Sequence, residues 1–171
     1  LLDVSRIRAG KLEFRPARHD LAALVHEAVA EQRLQQPERT INLEITAPAP
    51  VPVDVDPDRI EQVLANYLTN ALKYSADDQP VQVRLEMADG VAHVAVRDQG
   101  PGIPAHEQAP VWEMFHRIEG MKVQSGSGVG LGMGLHISRT IVERHGGQVG
   151  VESVPGEGST FWFTVPLAAD E

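Results

Sequence analysis

The stretch Asp56–Tyr74, DPDRIEQVLANYLTNALKY, decides how the rest of this chain is arranged. It begins as a helix should, because Asp56 can accept hydrogen bonds from the first free amides and Pro57 suits the first turn. Apolar side chains then recur with the helical period of about 3.6 residues. The pattern predicts a helix whose apolar face lies in the protein core. That face comprises Ile60, Val63, Leu64, Tyr67, Leu68, Ala71 and Leu72.

The opposite face of this helix carries an unusual stripe of amides. Gln62, Asn66, Asn70 and Lys73 fall in line, although asparagine is a poor residue for a helix interior. An exposed face that binds nothing is one explanation, because helix propensity is a weak guide. The other is a hard cation beside an anion, since the oxygen of Asn70 suits Mg²⁺ and the ammonium of Lys73 suits a phosphate. The helix alone leaves both explanations open.

The composition is that of one ordinary globular domain. The chain has 171 residues, 42% of them hydrophobic, with a formal net charge of −9 and no cysteine. This charge argues against binding to nucleic acid or to an anionic membrane surface, since both rely on clustered lysine and arginine. The lack of cysteine excludes disulfides and thiolate metal sites, and it permits a reducing cytoplasm. The seven histidines are scattered without metal-ligand spacing. No apolar run reaches the length of a membrane span, about 18 residues.

The remaining segments predict an α+β fold. Asp89-Gly90 separates two alternating strands and is a strong hairpin signal. Helices interleaved with largely antiparallel strands indicate one sheet covered on one face by helices, a two-layer sandwich. Besides the helix quoted above, helices are expected after Asp20 and up to about His145, and strands at 41–45, 51–55, 81–85, 91–96, 148–153 and 160–165.

Five glycines precede the last predicted helix at every second position, from Gly126 to Gly134. Each glycine costs about 0.5 to 1 kcal/mol within regular structure, so the series indicates either a hinge or close approach of the backbone to a ligand. Free amides at a helix N-terminus bind phosphate readily. A flexible linker is the alternative. Neither a Walker loop nor a dinucleotide fingerprint fits, because no Lys-Ser or Lys-Thr follows the last glycine.

A second candidate site begins at Asp98, which closes a predicted strand and is followed by Gly100 and Gly102. A carboxylate at this position can accept a hydrogen bond from the amino group of a base. The two glycines would let a flat ring lie against the backbone. Taken alone, the same residues also describe a simple Asx turn.

Taken together and in this order, these stretches resemble the ATP-binding domain of sensor histidine kinases, within the Bergerat ATPase-kinase superfamily. The likeness covers nearly the whole chain from Leu12 onward. It implies a Bergerat fold with a mobile ATP lid at about residues 104–130. The matching stretches are 66–74 (asparagine box), 98–103 (first glycine box), 111–117 (phenylalanine box), 130–135 (second glycine box), 158–163 (closing strand) and 1–7 (end of the preceding phosphoacceptor hairpin).

The resemblance implies a role for each matching residue. Asn70 would bind Mg²⁺, Asn66 and Lys73 would face the phosphates, Arg117 would reach the γ-phosphate, and Asp98 would hold the adenine amino group. Asn66, Lys73 and Arg117 would be the catalytic residues. The other positions expected to contact ATP are Tyr74, Gly100, Gly102, Ile103, Gly130, Leu131, Gly132, Met133, Gly134, Leu135 and Thr160.

Two positions depart from the family pattern. Leu131 stands where a hydroxyl residue is common, which removes a possible phosphate donor, and His116 replaces a frequent tyrosine. Neither departure removes a main contact that the resemblance implies for the nucleotide.

The asparagine box also separates a kinase from an ATPase. By resemblance, the gyrase-like, mismatch-repair and heat-shock ATPases carry a glutamate that activates water one turn before the magnesium asparagine. Here that position is Asn66, and an amide cannot act as a general base. Glu61 lies elsewhere around the helix. The γ-phosphate is therefore expected to go to an imidazole brought in from another domain. None of the seven histidines stands in a helix of the acceptor type.

The sequence thus predicts the Mg-ATP-binding catalytic domain of a two-component sensor histidine kinase, at 11–171, behind a helical stub at 1–10. The expected partners are its own dimerisation and phosphoacceptor domain and a response-regulator receiver domain. The parent is expected to be a cytoplasmic or membrane-anchored homodimer, and this chain a monomer without direct membrane contact. The start on Leu1 indicates a piece of a longer protein. The alternatives are a degenerate or anti-sigma-type nucleotide-binding module and a dimerising ATPase.

Overall fold

The computed structural model describes residues 13–114 and 134–169. The predicted stub at 1–10 and the glycine series before Gly134 lie outside these residues. In chain order the elements are β1 (Ala17–Asp20), α1 (Leu21–Gln35), β2 (Ile41–Ile45), β3 (Pro52–Val55), α2 (Pro57–Tyr74), β4 (Val81–Ala88), β5 (Val91–Asp98), α3 (Ala105–Gln108), a 3₁₀ turn (Pro110–Trp112), α4 (Gly134–Arg144), β6 (Val149–Val154) and β7 (Gly158–Pro166).

The main sheet has five strands in the order β2-β4-β5-β7-β6. β2 and β4 run parallel, and every other pair is antiparallel. The β4–β5 hairpin turns through Asp89 and Gly90, whose φ angles of 52° and 78° lie in the left-handed region that the Asp-Gly signal predicts. The predicted α+β sandwich with a mixed, mostly antiparallel sheet is therefore confirmed.

The expectation of a single sheet needs one correction, because β3 does not join the five strands. It pairs antiparallel with β1 in a separate two-stranded sheet. The backbone N–H of Ala168 donates to the carbonyl oxygen of Pro52 at 2.8 Å, so the end of the chain borders this small sheet. Pro52 cannot donate a backbone hydrogen bond, which suits the first position of a short strand.

The long helices cover one face of the main sheet, with α2 at the centre of the core. All seven residues of its predicted apolar face are 4% exposed or less. They pack against alternate residues of the central strands, among them Val94, Val96 and Phe163. Burying a side chain of this size contributes about 1.5 to 3 kcal/mol, so the whole face fixes α2 firmly. Among the described helices, none is long and apolar enough to cross a membrane.

A cluster of hydrogen bonds fixes the start of α2. The carboxylate of Asp56 accepts from the backbone N–H of Asp58 at 3.1 Å and from that of Arg15 at 2.9 Å. The backbone N–H of Asp56 donates to Nε2 of His145 at 3.1 Å. Nδ1 of this histidine lies 2.8 Å from the carbonyl oxygen of Ile141. Since a carbonyl only accepts, Nδ1 is the donor, and the ring ties the end of α4 to the start of α2.

We expect the substitution Asp56→Ala to lower the free energy of unfolding by about 1 to 2 kcal/mol, because it leaves the first amides of α2 without their acceptor. Urea denaturation followed by circular dichroism measures this loss. The matched control is Asp78→Ala, which removes an exposed carboxylate and should change the same quantity by less than about 0.5 kcal/mol. Equal losses in the two variants would contradict the capping role.

Candidate functional site

The amide stripe of α2 lies against the first turns of α4. Nδ2 of Asn66 donates to the carbonyl oxygen of Gly134 at 3.2 Å and to Oγ of Ser138 at 3.1 Å. Asn70, one turn further along, is half-buried and makes no side-chain hydrogen bond within the described residues. Lys73 follows on the same side and is also half-buried. The stripe is therefore a partly covered surface rather than a fully solvated one.

The oxygen atoms on this stripe suit a hydrated cation. Residues 13–114 and 134–169 contain no group of His, Asp and Glu residues that could hold a metal ion by itself. Mg²⁺ needs no such cage, since it keeps several waters and binds through one or two protein oxygens together with substrate phosphates. The amide oxygens of Asn66 and Asn70 belong to adjacent turns of one helix face. These residues fit Mg²⁺ carried by a polyphosphate.

Asp98 ends β5 in a buried position, with 5% of its surface exposed. Its Oδ1 accepts from the backbone N–H of Gly100 at 2.8 Å, and the backbone of Ser159 also donates to the carboxylate. Burial raises the pKa of Asp98 from its ordinary 3.8 to about 6, while these two hydrogen bonds act in the opposite direction. The result is a well-oriented carboxylate that can accept a further hydrogen bond from an amino group.

The glycines after Asp98 are required by close packing. A Cβ on Gly100 would lie 2.6 Å from the carbonyl oxygen of Tyr74, at the end of α2. Gly102 has a φ of 76° and lies directly against the backbone of Val154. A side chain would be strained at the first position by contact and at the second by both contact and backbone conformation. The structure thus brings Tyr74, Gly100 and Gly102 together beside Asp98.

A polar network that sequence reasoning missed fastens this turn to the β6–β7 hairpin. Oγ of Ser153 accepts from the backbone N–H of Ile103 at 2.7 Å and donates to the carbonyl oxygen of Gly158 at 2.8 Å. Nε2 of Gln108 donates to the carbonyl oxygens of Ile103 and Ser153, both at 3.0 Å. Ile103 itself is 1% exposed and packs in the core. The one available signal was strand alternation, which places Ser153 on the inner face of β6.

The predicted nucleotide contact Thr160 does not lie on the same face of the sheet as Asp98. Asp98 pairs with Ser159 in the β5–β7 ladder, and Thr160 pairs with Arg97. Because successive strand residues point to opposite faces, the buried Ser159 shares the face of Asp98. Thr160 lies on the face of the sheet away from the helices. The closing strand therefore contributes the neighbouring serine, and a search for the inward strand position would have found it.

The first part of the predicted lid is packed rather than open. Within 104–114, the short helix α3 is followed by the 3₁₀ turn, which contains Val111 and Trp112, and both of these side chains are buried. The ring of Trp112 lies 5.7 Å from that of Phe161 and 6.4 Å from that of Tyr67, centroid to centroid.

Of the remaining predicted contacts, Leu135 is half-buried on α4. Five positions lie outside the described residues, namely Arg117, Gly130, Leu131, Gly132 and Met133.

Glu61 lies away from the stripe, as its position around the helix predicts. Its carboxyl group shares a hydrogen bond with Glu27 of α1. Burial raises the pKa of Glu61, and the hydrogen bond and negative charge of Glu27 add to the effect. This glutamate is engaged between α1 and α2, so it does not supply a general base to the face that carries Asn66 and Asn70.

Comparison with known proteins agrees with this geometry. Residues 55–169 match the family described as histidine kinase-, DNA gyrase B-, and HSP90-like ATPase. The adaptive-response sensory kinase SasA of Prochlorococcus marinus is 38% identical over 169 residues, which cover 98% of this chain and 43% of SasA. The sensor histidine kinase WalK of Bacillus subtilis is 34% identical over 116 residues, covering 67% of this chain and 19% of WalK. The chain thus spans less than half the length of either relative.

Two solved structures share the fold. The mycobacterial sensor histidine kinase MprB has a TM-score of 0.77 and 27% identity, covering 91% of this chain and 100% of that chain. Full-length ShkA in complex with AMPPNP has a TM-score of 0.83 and 28% identity, covering 99% of this chain and 35% of that chain. The chain belongs to the histidine kinase-, DNA gyrase B- and HSP90-like ATPase family.

Proposed function

We propose that this chain binds Mg-ATP and transfers the γ-phosphate to a histidine on a separate dimerisation domain. The main supporting observation is that α2 ends against the Asp98 turn, where Gly100 touches the backbone of Tyr74. One nucleotide can therefore contact both places at once. Its adenine would bind the carboxylate of Asp98, and its phosphates and metal would lie along the polar stripe of α2. The match to full-length ShkA, solved with AMPPNP, adds support.

The stripe serves the phosphate end of the nucleotide. Asn70 would hold Mg²⁺ through its amide oxygen, and the metal would supply positive charge against the phosphates. Asn66 and Lys73 face the phosphates, and Lys73 supplies positive charge as a compact ammonium. Arg117 and the glycines Gly130, Gly132 and Gly134 complete this end, as the family resemblance implies.

Asp98 serves the adenine end. Its carboxylate accepts a hydrogen bond from the adenine amino group, while Gly100 and Gly102 let the ring approach the backbone. Ser159 holds the carboxylate through its backbone N–H. Tyr74 flanks the nucleotide at the point where α2 ends.

Transfer to an imidazole is favoured over hydrolysis because the stripe carries an amide, and not a general base for water, at position 66. Both amide hydrogens of Asn66 are donated to α4, and an amide oxygen is not basic enough to take a proton from water. A histidine nitrogen needs no such activation. It attacks the γ-phosphorus, the bond to the β-phosphate oxygen breaks, and ADP leaves.

For the wider protein we propose an organisation that is supported by the relatives, of which this chain covers less than half. We assign the catalytic domain to 11–171, with a lid at about 104–130 and a helical stub at 1–10. The partners are the parent's own phosphoacceptor domain, in a homodimer, and a response-regulator receiver domain. The domain acts in the cytoplasm, and by itself it is a monomer.

Labelled ATP tests the reaction directly. We expect no label on this chain when it is incubated alone with Mg²⁺ and γ-labelled ATP, and label on a supplied phosphoacceptor hairpin when one is added. Phosphate stable to base and labile to acid identifies the product as phosphohistidine. Label on the isolated chain, or release of inorganic phosphate as the main product, would count against the assignment.

The metal role is tested by Asn70→Ala. We expect this variant to lose most of the tightening of ADP binding that Mg²⁺ causes, roughly tenfold or about 1.4 kcal/mol, while affinity in EDTA stays the same. Titration calorimetry in both buffers measures the difference. Thr69→Ala is the matched control, because the Thr69 hydroxyl bonds only to the carbonyls of Ala65 and Asn66 in the described chain. Full magnesium dependence in Asn70→Ala would refute the role.

Asp98 gives two pH dependences of opposite sign. Because burial raises its pKa to about 6 from an ordinary 3.8, its contribution to stability is complete below pH 3.8 and is lost as the pH rises through about 6. Relative to Asp98→Asn, the wild type should therefore lose up to about 3 kcal/mol of unfolding free energy between pH 4 and pH 7. Urea denaturation at several pH values measures this loss.

Nucleotide binding should change in the other direction. The amino group of adenine needs the ionised carboxylate as acceptor, so affinity for ADP should fall as the pH falls through about 6. The variant Asp98→Asn should bind weakly at every pH. An affinity for ADP that is independent of Asp98 and of pH in this range would exclude the adenine role.

A further inference from the structure

The side chain of Asn66 has a fixed orientation. Its amide nitrogen lies 3.2 Å from the carbonyl oxygen of Gly134 and 3.1 Å from Oγ of Ser138. A carbonyl oxygen can only accept, so the atom that faces Gly134 must be the nitrogen. Both amide hydrogens of Asn66 are therefore directed at the first turns of α4.

This orientation leaves Oδ1 as the free functional atom of Asn66. Within the described chain, this oxygen accepts no hydrogen bond, and Asn66 as a whole is half-buried. A flipped amide would instead present two hydrogens, which repel a cation. The direction of the amide thus decides whether α2 offers one or two neutral oxygens to a Mg²⁺ ion.

Ser138 is placed to maintain this direction. It is 0% exposed, and the hydrogen bond to Asn66 is the contact that its hydroxyl makes in the described chain. Burying a hydroxyl group without a hydrogen-bond partner destabilises the fold relative to alanine, because the lost hydration is not replaced. The bond to Asn66 supplies that partner for Ser138. On the Gly134 side, a Cβ built on that glycine would be 3.5 Å from Cγ of Asn66, so α4 packs directly on the amide.

We propose that Ser138 is a positioning residue for the metal end of the site: with the carbonyl of Gly134, it takes both amide hydrogens of Asn66 and so aims Oδ1 at the Mg²⁺ ion that the phosphates would carry. This inference rests on the proposed function and adds a residue to it. It also explains why an amide stands at position 66. A carboxylate there would have no hydrogen to donate and would repel the Gly134 carbonyl.

The test compares Ser138→Ala with Thr140→Ala on the same helix. The Thr140 hydroxyl bonds to the carbonyl oxygen of His136 and has no contact with Asn66 among the described residues. ADP affinity is titrated in Mg²⁺ and in EDTA, and the Asn66 side-chain amide protons are followed by NMR exchange in nucleotide-free protein. Ser138→Cys keeps the size with a weaker acceptor, and urea denaturation checks that each variant is folded.

We expect Ser138→Ala to reduce the magnesium-dependent tightening of ADP roughly tenfold, the lower end of what the loss of an outer-shell partner costs, with affinity in EDTA unchanged. One Asn66 amide proton should exchange faster than in the wild type even without metal. Ser138→Cys should fall between wild type and alanine, and Thr140→Ala should match the wild type. This combination separates positioning from a loss of folding, which would weaken binding equally in both buffers.

Three results would overturn the inference. The first is full magnesium dependence in Ser138→Ala while Asn70→Ala loses it, which leaves the proposed function standing. The second is a loss of ADP affinity in Ser138→Ala that is equally large in Mg²⁺ and in EDTA, which would mean that Ser138 only stabilises the fold. The third is a wild-type chain whose ADP affinity ignores Mg²⁺, which removes the proposed function and this inference together.

Discussion

The burial of one face of α2 is the constraint on which the structure depends. One face is buried by the sheet, so the other must carry the polar stripe, and the helix cannot rotate without exposing seven apolar side chains. Both ends are fixed by charged side chains. Asp56 caps the first turn, while the guanidinium of Arg39 donates to the carbonyl of Leu72 and to the hydroxyl of Ser75, each at 2.7 Å. These charges also match the helix dipole.

The same helix joins the two halves of the site. Near its middle, Asn66 holds the start of α4, and at its end the backbone of Tyr74 touches Gly100 in the turn that follows Asp98. That turn is held from the other side by Ser153 and the β6–β7 hairpin. The distance between the proposed adenine end and the proposed phosphate end is therefore set by packed backbone, which deforms little. Loops alone would not hold such a site.

Position 66 shows how one side chain connects chemistry with packing. In the proposed reaction, the amide is a poor base, which protects ATP from water. In the structure, the same amide donates both hydrogens to α4, through Gly134 and Ser138. A carboxylate would supply the missing base and lose the contact with the helix. The change from kinase to ATPase chemistry at this position would thus require a different packing of α4.

The sequence by itself determined the helix α2 and its faces, the Asp89-Gly90 hairpin and the α+β architecture, because these follow from periodicity and turn chemistry between near neighbours. Only the tertiary structure decided the partners of distant segments. It paired β3 with β1 in a second sheet, placed Ser159 rather than Thr160 beside Asp98, and directed Asn66 at α4. Strand register and helix docking set these contacts, and a shift of one residue reverses every strand side chain. Alternation shows which residues of one strand share a face, but it does not show which strands and helices lie against each other.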